Sequence, residues 1–256
     1  MRARSPALWA AALAVYAFLY LPLLVVIVFS FNDSRLNARW SGFTLDWYRK
    51  LFTNEQLLSA AWNSFVIALA VTLISVIVGT LAGIALSRYK ARFLSFLVVT
   101  PMAVPDILTG VSLLVFFVMI HLTLGMQSVI LAHVSFCISF VAIVVRSALA
   151  NLDPHLVEAA RDLGASPWVA FRQVVLPAIT PGIVAGALLA FTMSIDDFVI
   201  TFFTAGAGTT TLPLQVYSMI KVSITPEINA VSTLLMLLTL SLVIVASRLA
   251  PEAMRG

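Results

Sequence analysis

Six long apolar segments dominate this chain and restrict it to a membrane. They cover residues 8–31, 61–86, 94–120, 126–146, 179–203 and 228–249. A helix needs about 20 apolar residues to cross the hydrocarbon layer, and each segment is long enough. Because backbone N–H and C=O groups find no partner in lipid, segments of this kind must be helical. The sequence therefore predicts an all-α membrane protein with six transmembrane helices, forming a single domain over residues 1–256.

The composition agrees with this fold class. Hydrophobic residues make up 61% of the chain and charged residues 10%, whereas soluble domains carry about 25% charged residues. The net charge of +4 does not indicate a nucleic-acid partner, because the basic residues are dispersed beside the apolar segments. The single cysteine, Cys137, lies within an apolar segment and indicates core packing. The first segment is longer than a signal peptide requires, which predicts a retained helix.

The basic residues also predict the orientation of the chain. With the N-terminus in the cytoplasm, ten of them face inward and five face outward, as the positive-inside rule requires. The inner set is Arg2, Arg4, Arg88, Lys90, Arg92, Arg146, Arg161, Arg172, Arg248 and Arg255, and the outer set is Arg35, Arg39, Arg49, Lys50 and Lys221. Both termini and the loop 147–178 are therefore expected in the cytoplasm.

The loop 147–178 contains a motif with a defined spacing. Residues 158–160 read Glu-Ala-Ala, Gly164 follows after three residues, and residues 174–177 read Val-Val-Leu-Pro after nine more. The charged side chains of this loop cannot lie in hydrocarbon at low cost, so the loop must lie in water.

Two short amphipathic helices are expected in this loop. Asp153 and Pro154 have the residue types of a helix start, and Gly164 permits a sharp turn. Ser166 then begins a second helix, which the two prolines of the segment 174–181 are expected to interrupt. Two helices joined by a glycine predict a stiff lever. The alternative is an interfacial loop that lies on the lipid headgroups.

Three acidic residues fall inside the predicted membrane segments: Asp106, Asp196 and Asp197. A carboxylate at membrane depth costs about 2.5–3.5 kcal/mol, so each is a candidate functional residue. Asp106 follows Pro101 and Pro105, which are expected to kink or break the third segment. These acids indicate a cavity that attracts cations, although helix capping at the proline break is an alternative role for Asp106.

The acidic pair in the fifth segment leaves two assignments open. Ser194 and Asp197 are three residues apart and share a helix face, whereas Asp196 is rotated by about 100° from Asp197. One aspartate is expected to line the cavity. The other is expected to cap broken backbone or to contact a neighbouring subunit.

Three aromatic residues are candidates for cation–π contact with an ammonium group: Trp47, Tyr48 and Tyr217. Aromatic residues near a membrane surface also serve as interfacial anchors, which is the alternative reading of each.

The motif in the loop 147–178 resembles the EAA loop of permease subunits of ABC importers. Four further strings are similar to the spermidine/putrescine branch, in particular to its second permease subunit; they are 30–32 (SFN), 194–197 (SIDD), 212–218 (LPLQVYS) and 225–230 (TPEINA). The resemblance implies a type I ABC-importer permease fold in the bacterial inner membrane.

It also implies a function: movement of polyamines from periplasm to cytoplasm, coupled through residues 153–172 to a separate ATPase. The residues that match the coupling motif are Glu158, Ala159, Ala160 and Gly164, and those that match the polyamine path are Trp47, Asp106, Ser194 and Asp196.

The implied partners are a second homologous permease in a heterodimer, a dimer of ATPase subunits, a periplasmic polyamine-binding protein and membrane lipid. No G-x-x-x-x-G-K-[ST] phosphate loop occurs in the sequence. ATP and magnesium are therefore expected on the partner ATPase, with no cofactor on this chain.

Other functions are compatible with parts of this pattern. The same fold could serve an amino acid, thiamine or ferric ion, and an ion-coupled secondary carrier could use Asp106 and Asp196 as a proton relay. A scaffold would leave the membrane acids unexplained. An enzyme is disfavoured, because His121, His133 and His155 are scattered without metal-ligand spacing.

Overall fold

In the computed structural model, every regular element is helical within the described residues, which are 6–34, 39–89, 92–153, 155–222 and 225–249. The helices are α1 (Pro6–Phe29), α2 (Asp46–Leu51), α3 (Glu55–Arg88), α4 (Arg92–Ala103), α5 (Asp106–Met119), α6 (Met126–Ala150), α7 (His155–Asp162), α8 (Pro167–Ala170), α9 (Leu176–Ile195), α10 (Val199–Thr204), α11 (Leu212–Val222) and α12 (Pro226–Leu249). The all-α prediction is confirmed. Several residues used above lie outside the described residues: Arg2, Arg4, Arg35, Lys90, Pro154 and Arg255.

Five helices of the described chain are long and apolar enough to cross a membrane, and a broken pair supplies a sixth crossing if it counts as one span. The pair is α4 and α5, which are bent by 109°. Pro101 lies in the last turn of α4 and Pro105 has extended backbone just before α5. The break expected at these two prolines is therefore confirmed.

The fifth predicted segment, 179–203, differs from the structure at both ends. Helix runs continuously from Pro167 to Ile195, and α10 is a separate short helix beyond it. The expected interruption at Pro177 and Pro181 is wrong. A π-helical turn, Phe171–Val175, ends two residues before Pro177. A wider turn of this kind accommodates the ring and missing N–H of a proline within a continuing helix.

The chain divides into two compact units. One consists of Met1–Leu58 and Gln215–Leu238, and the other of Ser59–Leu214 and Thr239–Gly256. In the first unit, Asn54 Nδ2 donates to Glu227 Oε1 at 3.1 Å, which joins the two parts of the sequence. The second unit contains α4 to α10, and with them all three membrane acids. That the chain is one permease domain stays a prediction.

Helix α6 is the centre of the second unit. Val129, Val141 and Val145 are completely buried along it. Small residues on its neighbours permit close approach, as is common between membrane helices. In α3, Gly79 and Gly83 face α6 so closely that an added Cβ atom would lie 2.7 Å from atoms of that helix.

We expect Gly83→Ala to destabilise the protein, although glycine-to-alanine changes in helices usually stabilise by about 0.4–1 kcal/mol. The new Cβ atom would lie 2.7 Å from the Ala142 carbonyl oxygen and 3.0 Å from Val145 Cβ. Overpacking of this kind costs about 1–3 kcal/mol. Thermal unfolding of the purified protein should show a lower melting temperature. Gly125→Ala is the control, since nothing lies within 4 Å of its added Cβ atom.

Candidate functional site

The fifth apolar segment is broken where its two aspartates lie. Helix α9 ends at Ile195 and α10 begins at Val199. The first backbone N–H groups of α10 would lack partners at such a break. The Asp197 carboxylate supplies them: Oδ2 accepts from Thr201 N at 2.8 Å, and Oδ1 from Ile200 N at 3.4 Å. Asp197 therefore caps α10.

His133 of α6 holds both sides of this break. Its side chain is completely buried. The Nδ1 atom lies 2.8 Å from Ser194 Oγ, and the Nε2 atom lies 3.0 Å from Thr201 Oγ1 and 3.2 Å from Asp197 Oδ2. One ring thus contacts the end of α9, the break and the first turn of α10.

Sequence reasoning missed His133, because the histidines were tested only for metal-ligand spacing. A usable signal was present, since a histidine inside an apolar membrane segment is itself a polar residue that requires partners.

No group of three or more potential metal ligands occurs in the described part of the chain.

A cavity of about 450 Å³ lies beside the break. Asp106, Asp196 and Asp197 all line it. The rest of its wall is apolar and is formed by Pro101, Met102, Phe136, Phe140, Met193, Phe198, Val199 and Ile200. The structure thus brings together three acids that are up to 91 residues apart in sequence (197 − 106).

The three carboxylates are not equivalent. Asp197 is 11% exposed in its side chain and is engaged by Thr201 and His133. Asp106 and Asp196 are exposed, and neither side chain forms an ion pair or hydrogen bond with another described residue. The geometry therefore leaves Asp106 and Asp196 available to a cation, and it gives Asp197 the capping role.

Two residues expected on the substrate path have other contacts. Ser194 is buried and does not line the cavity, because its hydroxyl faces His133. Trp47 belongs to the first unit, where its Nε1 donates to the Asn32 carbonyl at 2.8 Å. Lys50 Nζ lies 4.3 Å from the centre of the Trp47 ring, so a cation of the chain itself already covers that face.

The other two aromatic candidates are also engaged within the chain. Tyr48 shares a hydrogen bond of 2.7 Å with Ser30. Lys221 Nζ lies 4.6 Å from the centre of the Tyr217 ring. These contacts favour structural roles for both tyrosines.

The loop with the Glu-Ala-Ala motif forms two helices around Gly164, as expected. Gly164 has a φ of +87°, and its N–H donates to the Arg161 carbonyl at 2.9 Å. The N–H of Ala165 reaches back to the Ala160 carbonyl at 3.0 Å. This pair of bonds is a Schellman motif, which ends a helix with a left-handed residue. Ser166 Oγ then caps α8 by accepting from Val169 N at 3.4 Å.

The surface around Gly164 is unusually apolar for a segment assigned to water. Leu163 is 90% exposed and Trp168 is 67% exposed. Ala160, Leu163 and Gly164 line a groove of about 420 Å³. Contiguous exposed apolar surface of this kind indicates an interaction site.

Comparison with known proteins assigns the chain to a family. Residues 75–251 match the model of the binding-protein-dependent transport system inner membrane component. The chain belongs to this family. It is therefore a multi-pass permease component of the inner membrane and not a catalytic subunit, and ATP hydrolysis takes place on a separate polypeptide.

Two characterised relatives are permeases of polyamine systems. This permease is 41% identical over 246 residues to the spermidine/putrescine transport system permease protein PotC of Escherichia coli K12, covering 95% of this chain and 93% of that one. It is also 41% identical over 244 residues to the putrescine transport system permease protein PotI of the same strain, with coverage of 91% and 86%. The resemblance to the spermidine/putrescine branch is confirmed.

A solved structure confirms the fold. A chain of the bacterial alginate ABC transporter, crystallised with an alginate pentasaccharide-bound periplasmic protein, superimposes with a TM-score of 0.70. It is 17% identical in sequence, and the match covers 95% of this chain and 93% of that one. The type I ABC-importer permease fold is thus established at low sequence identity.

Proposed function

We propose that this permease moves polyamines, putrescine and spermidine among them, from the periplasm to the cytoplasm. The observation that carries the proposal is the cavity lined by three carboxylates and apolar side chains, in which Asp106 and Asp196 have no side-chain partner among the described residues. A polyamine has the complementary chemistry, because its ammonium groups are separated by methylene chains. The polyamine systems to which the two E. coli relatives belong support the same substrate class.

The energetics suit a site that binds and then releases its substrate. Charge attraction is stronger in a partly dehydrated cavity than in bulk water, so each carboxylate favours an ammonium group over a neutral solute. The apolar wall receives the methylene chain. A volume of about 450 Å³ falls within the usual range of small-molecule sites.

Coupling to ATP hydrolysis is proposed through the segment 153–172. Glu158, Ala159, Ala160 and Gly164 would contact a groove on the ATPase, with the exposed apolar surface around Gly164 as the docking face. The continuous helix Pro167–Ile195 begins in this loop and ends one residue before Asp196. At 1.5 Å per residue its 29 residues extend about 44 Å. A displacement at the loop therefore reaches a cavity carboxylate through a single helix.

The proposed assembly contains a second homologous permease, a dimer of ATPase subunits that hold ATP and magnesium, and a periplasmic polyamine-binding protein. The family description and the coupling motif support this set of partners. The excess of inward basic residues supports cytoplasmic N- and C-termini. ATP binding would open the cavity to the periplasm, and hydrolysis would return it to the inward-facing state.

The function is tested by uptake of labelled putrescine and spermidine in cells that lack this chain, with and without its restoration on a plasmid. We expect uptake to return only with the chain and to stop when ATP is depleted while the proton gradient is maintained. Uptake that persists without ATP would instead support an ion-coupled carrier. Restored transport of an amino acid, thiamine or ferric ion, without polyamine uptake, would contradict the substrate assignment but not the fold.

A further inference from the structure

We propose that His133 is a positioning residue for transport, which keeps Asp197 turned into the cap of α10 so that Asp196 is presented to the cavity. This inference rests on the proposed function, because its assay is cation uptake. His133 does not line the cavity itself. It acts through residues that flank the break in the fifth span.

The contacts of the ring define this role. Nδ1 meets Ser194, the last residue but one of α9, and Nε2 meets Thr201 and Asp197 on the far side of the break. Three residues of interrupted backbone, 196–198, separate the end of α9 from the start of α10. The His133 ring therefore links α9 and α10 in addition to that segment and the Asp197 cap.

The protons of this cluster can be assigned from the bonds. Thr201 has one hydroxyl proton, and it is donated to Asp197 Oδ2 at 2.9 Å. The Thr201 oxygen and the Asp197 carboxylate are therefore both acceptors toward His133. Nε2 must carry a hydrogen, which is shared between them. The Ser194 hydroxyl then donates to Nδ1 when the ring is neutral.

Loss of the Nε2 donor would release one side of the Asp197 carboxylate. That carboxylate already borders the cavity and lies next to Asp196 in sequence. The carboxylate would then turn out of the cap, α10 would loosen, and the backbone that presents Asp196 to the cavity would lose its fixed geometry. We therefore expect changed substrate affinity rather than a loss of folded protein alone.

Two substitutions separate the contacts of the ring. In His133→Asn, the amide occupies the region of Nδ1 and keeps the contact with Ser194, but it cannot reach Asp197. In His133→Gln, the longer side chain places an N–H donor near Nε2. Cys137→Ala is the matched control, because Cys137 is also completely buried one turn further along α6. Among the described residues, its one hydrogen-bond partner is the Ala190 carbonyl, 3.7 Å from its sulfur.

Uptake kinetics are measured for the whole transporter in membrane vesicles, with rates normalised to assembled complex. We expect His133→Asn to raise the KM for putrescine by about tenfold or more, the size of effect that loss of one hydrogen bond to a charged group produces. His133→Gln should restore KM to within about threefold of wild type, on the same scale. Cys137→Ala should lower the amount of complex without changing KM.

An unchanged KM in His133→Asn, with only less complex formed, would overturn the inference and leave His133 as a packing residue. If His133→Asn does not assemble, Thr201→Val tests the same contacts: a raised KM supports the inference and an unchanged KM contradicts it. Uptake by the wild-type transporter is measured before any variant is compared. If the wild type takes up no polyamine, the proposed function is wrong, whatever the role of His133.

Discussion

Asparagine at position 196 should reduce putrescine uptake per assembled complex at least tenfold. Asp196 is exposed to the cavity and has no side-chain partner among the described residues. Its charge therefore stabilises no side-chain contact in the described part of the chain and can attract the substrate. Losing one charge-assisted hydrogen bond to an ammonium group corresponds to about 1.5–3 kcal/mol, or ten- to more than a hundredfold in affinity.

Asp197→Asn is the matched control for this prediction, because it removes the same charge from the adjacent position. Asp197 caps α10 and accepts from Thr201 and His133. We expect this variant mainly to reduce assembly and thermal stability. Blue-native electrophoresis measures assembly for both variants, and labelled uptake measures transport. If Asp196→Asn loses assembly in proportion to uptake, Asp196 is structural and the cavity assignment fails.

The features that sequence predicted correctly depend on local chemistry. A proline lacks an N–H group and clashes with the preceding turn. Pro101 and Pro105 therefore predict the helix break before Asp106 from the sequence alone, whatever the neighbouring helices are. Ser166 and Gly164 act in the same way at a helix start and a helix end. Each of these helix ends and breaks depends on interactions between residues that are close in sequence.

The features that sequence missed depend on which helix faces which. Pro177 and Pro181 have the same local chemistry as Pro101, yet the helix that contains them continues to Ile195, and the π-helical turn Phe171–Val175 lies just before Pro177. The choice between Asp196 and Asp197 required knowledge of His133, which holds Asp197 in the cap. His133 is 64 residues from Asp197 in sequence (197 − 133). In a membrane segment both faces are apolar, so periodicity does not reveal the partner.

The aromatic candidates illustrate the same limit. Trp47 and Tyr217 have rings suited to bind an ammonium group, but Lys50 and Lys221 occupy a position over them. From the sequence, those two lysines contribute only to the prediction of which loops face outward. A cation of the chain itself and a cationic substrate use the same interaction, and only the folded contacts distinguish the two.

Proline at position 164 should uncouple transport from ATP hydrolysis while leaving the membrane helices folded. Gly164 has a φ of +87°, whereas proline requires a φ near −65°. Proline also removes the N–H that bonds to the Arg161 carbonyl at 2.9 Å. The turn between α7 and α8 must therefore be rebuilt, and the groove formed by Ala160 and Leu163 changes shape. We expect uptake to fall at least tenfold, corresponding to a cost of about 1.4 kcal/mol or more in the coupled state.

Asparagine at the same position is the control, because it adopts left-handed backbone several times more readily than most residues and nothing lies within 4 Å of the added Cβ atom. Gly164→Asn should therefore retain most of the transport. The decisive measurement is ATPase activity of the reconstituted complex with and without substrate-loaded binding protein. Gly164→Pro should keep a basal rate but lose its stimulation. Because the continuous helix Pro167–Ile195 links this turn to Asp196, normal stimulation and uptake in Gly164→Pro would show that the coupling motion enters the membrane elsewhere.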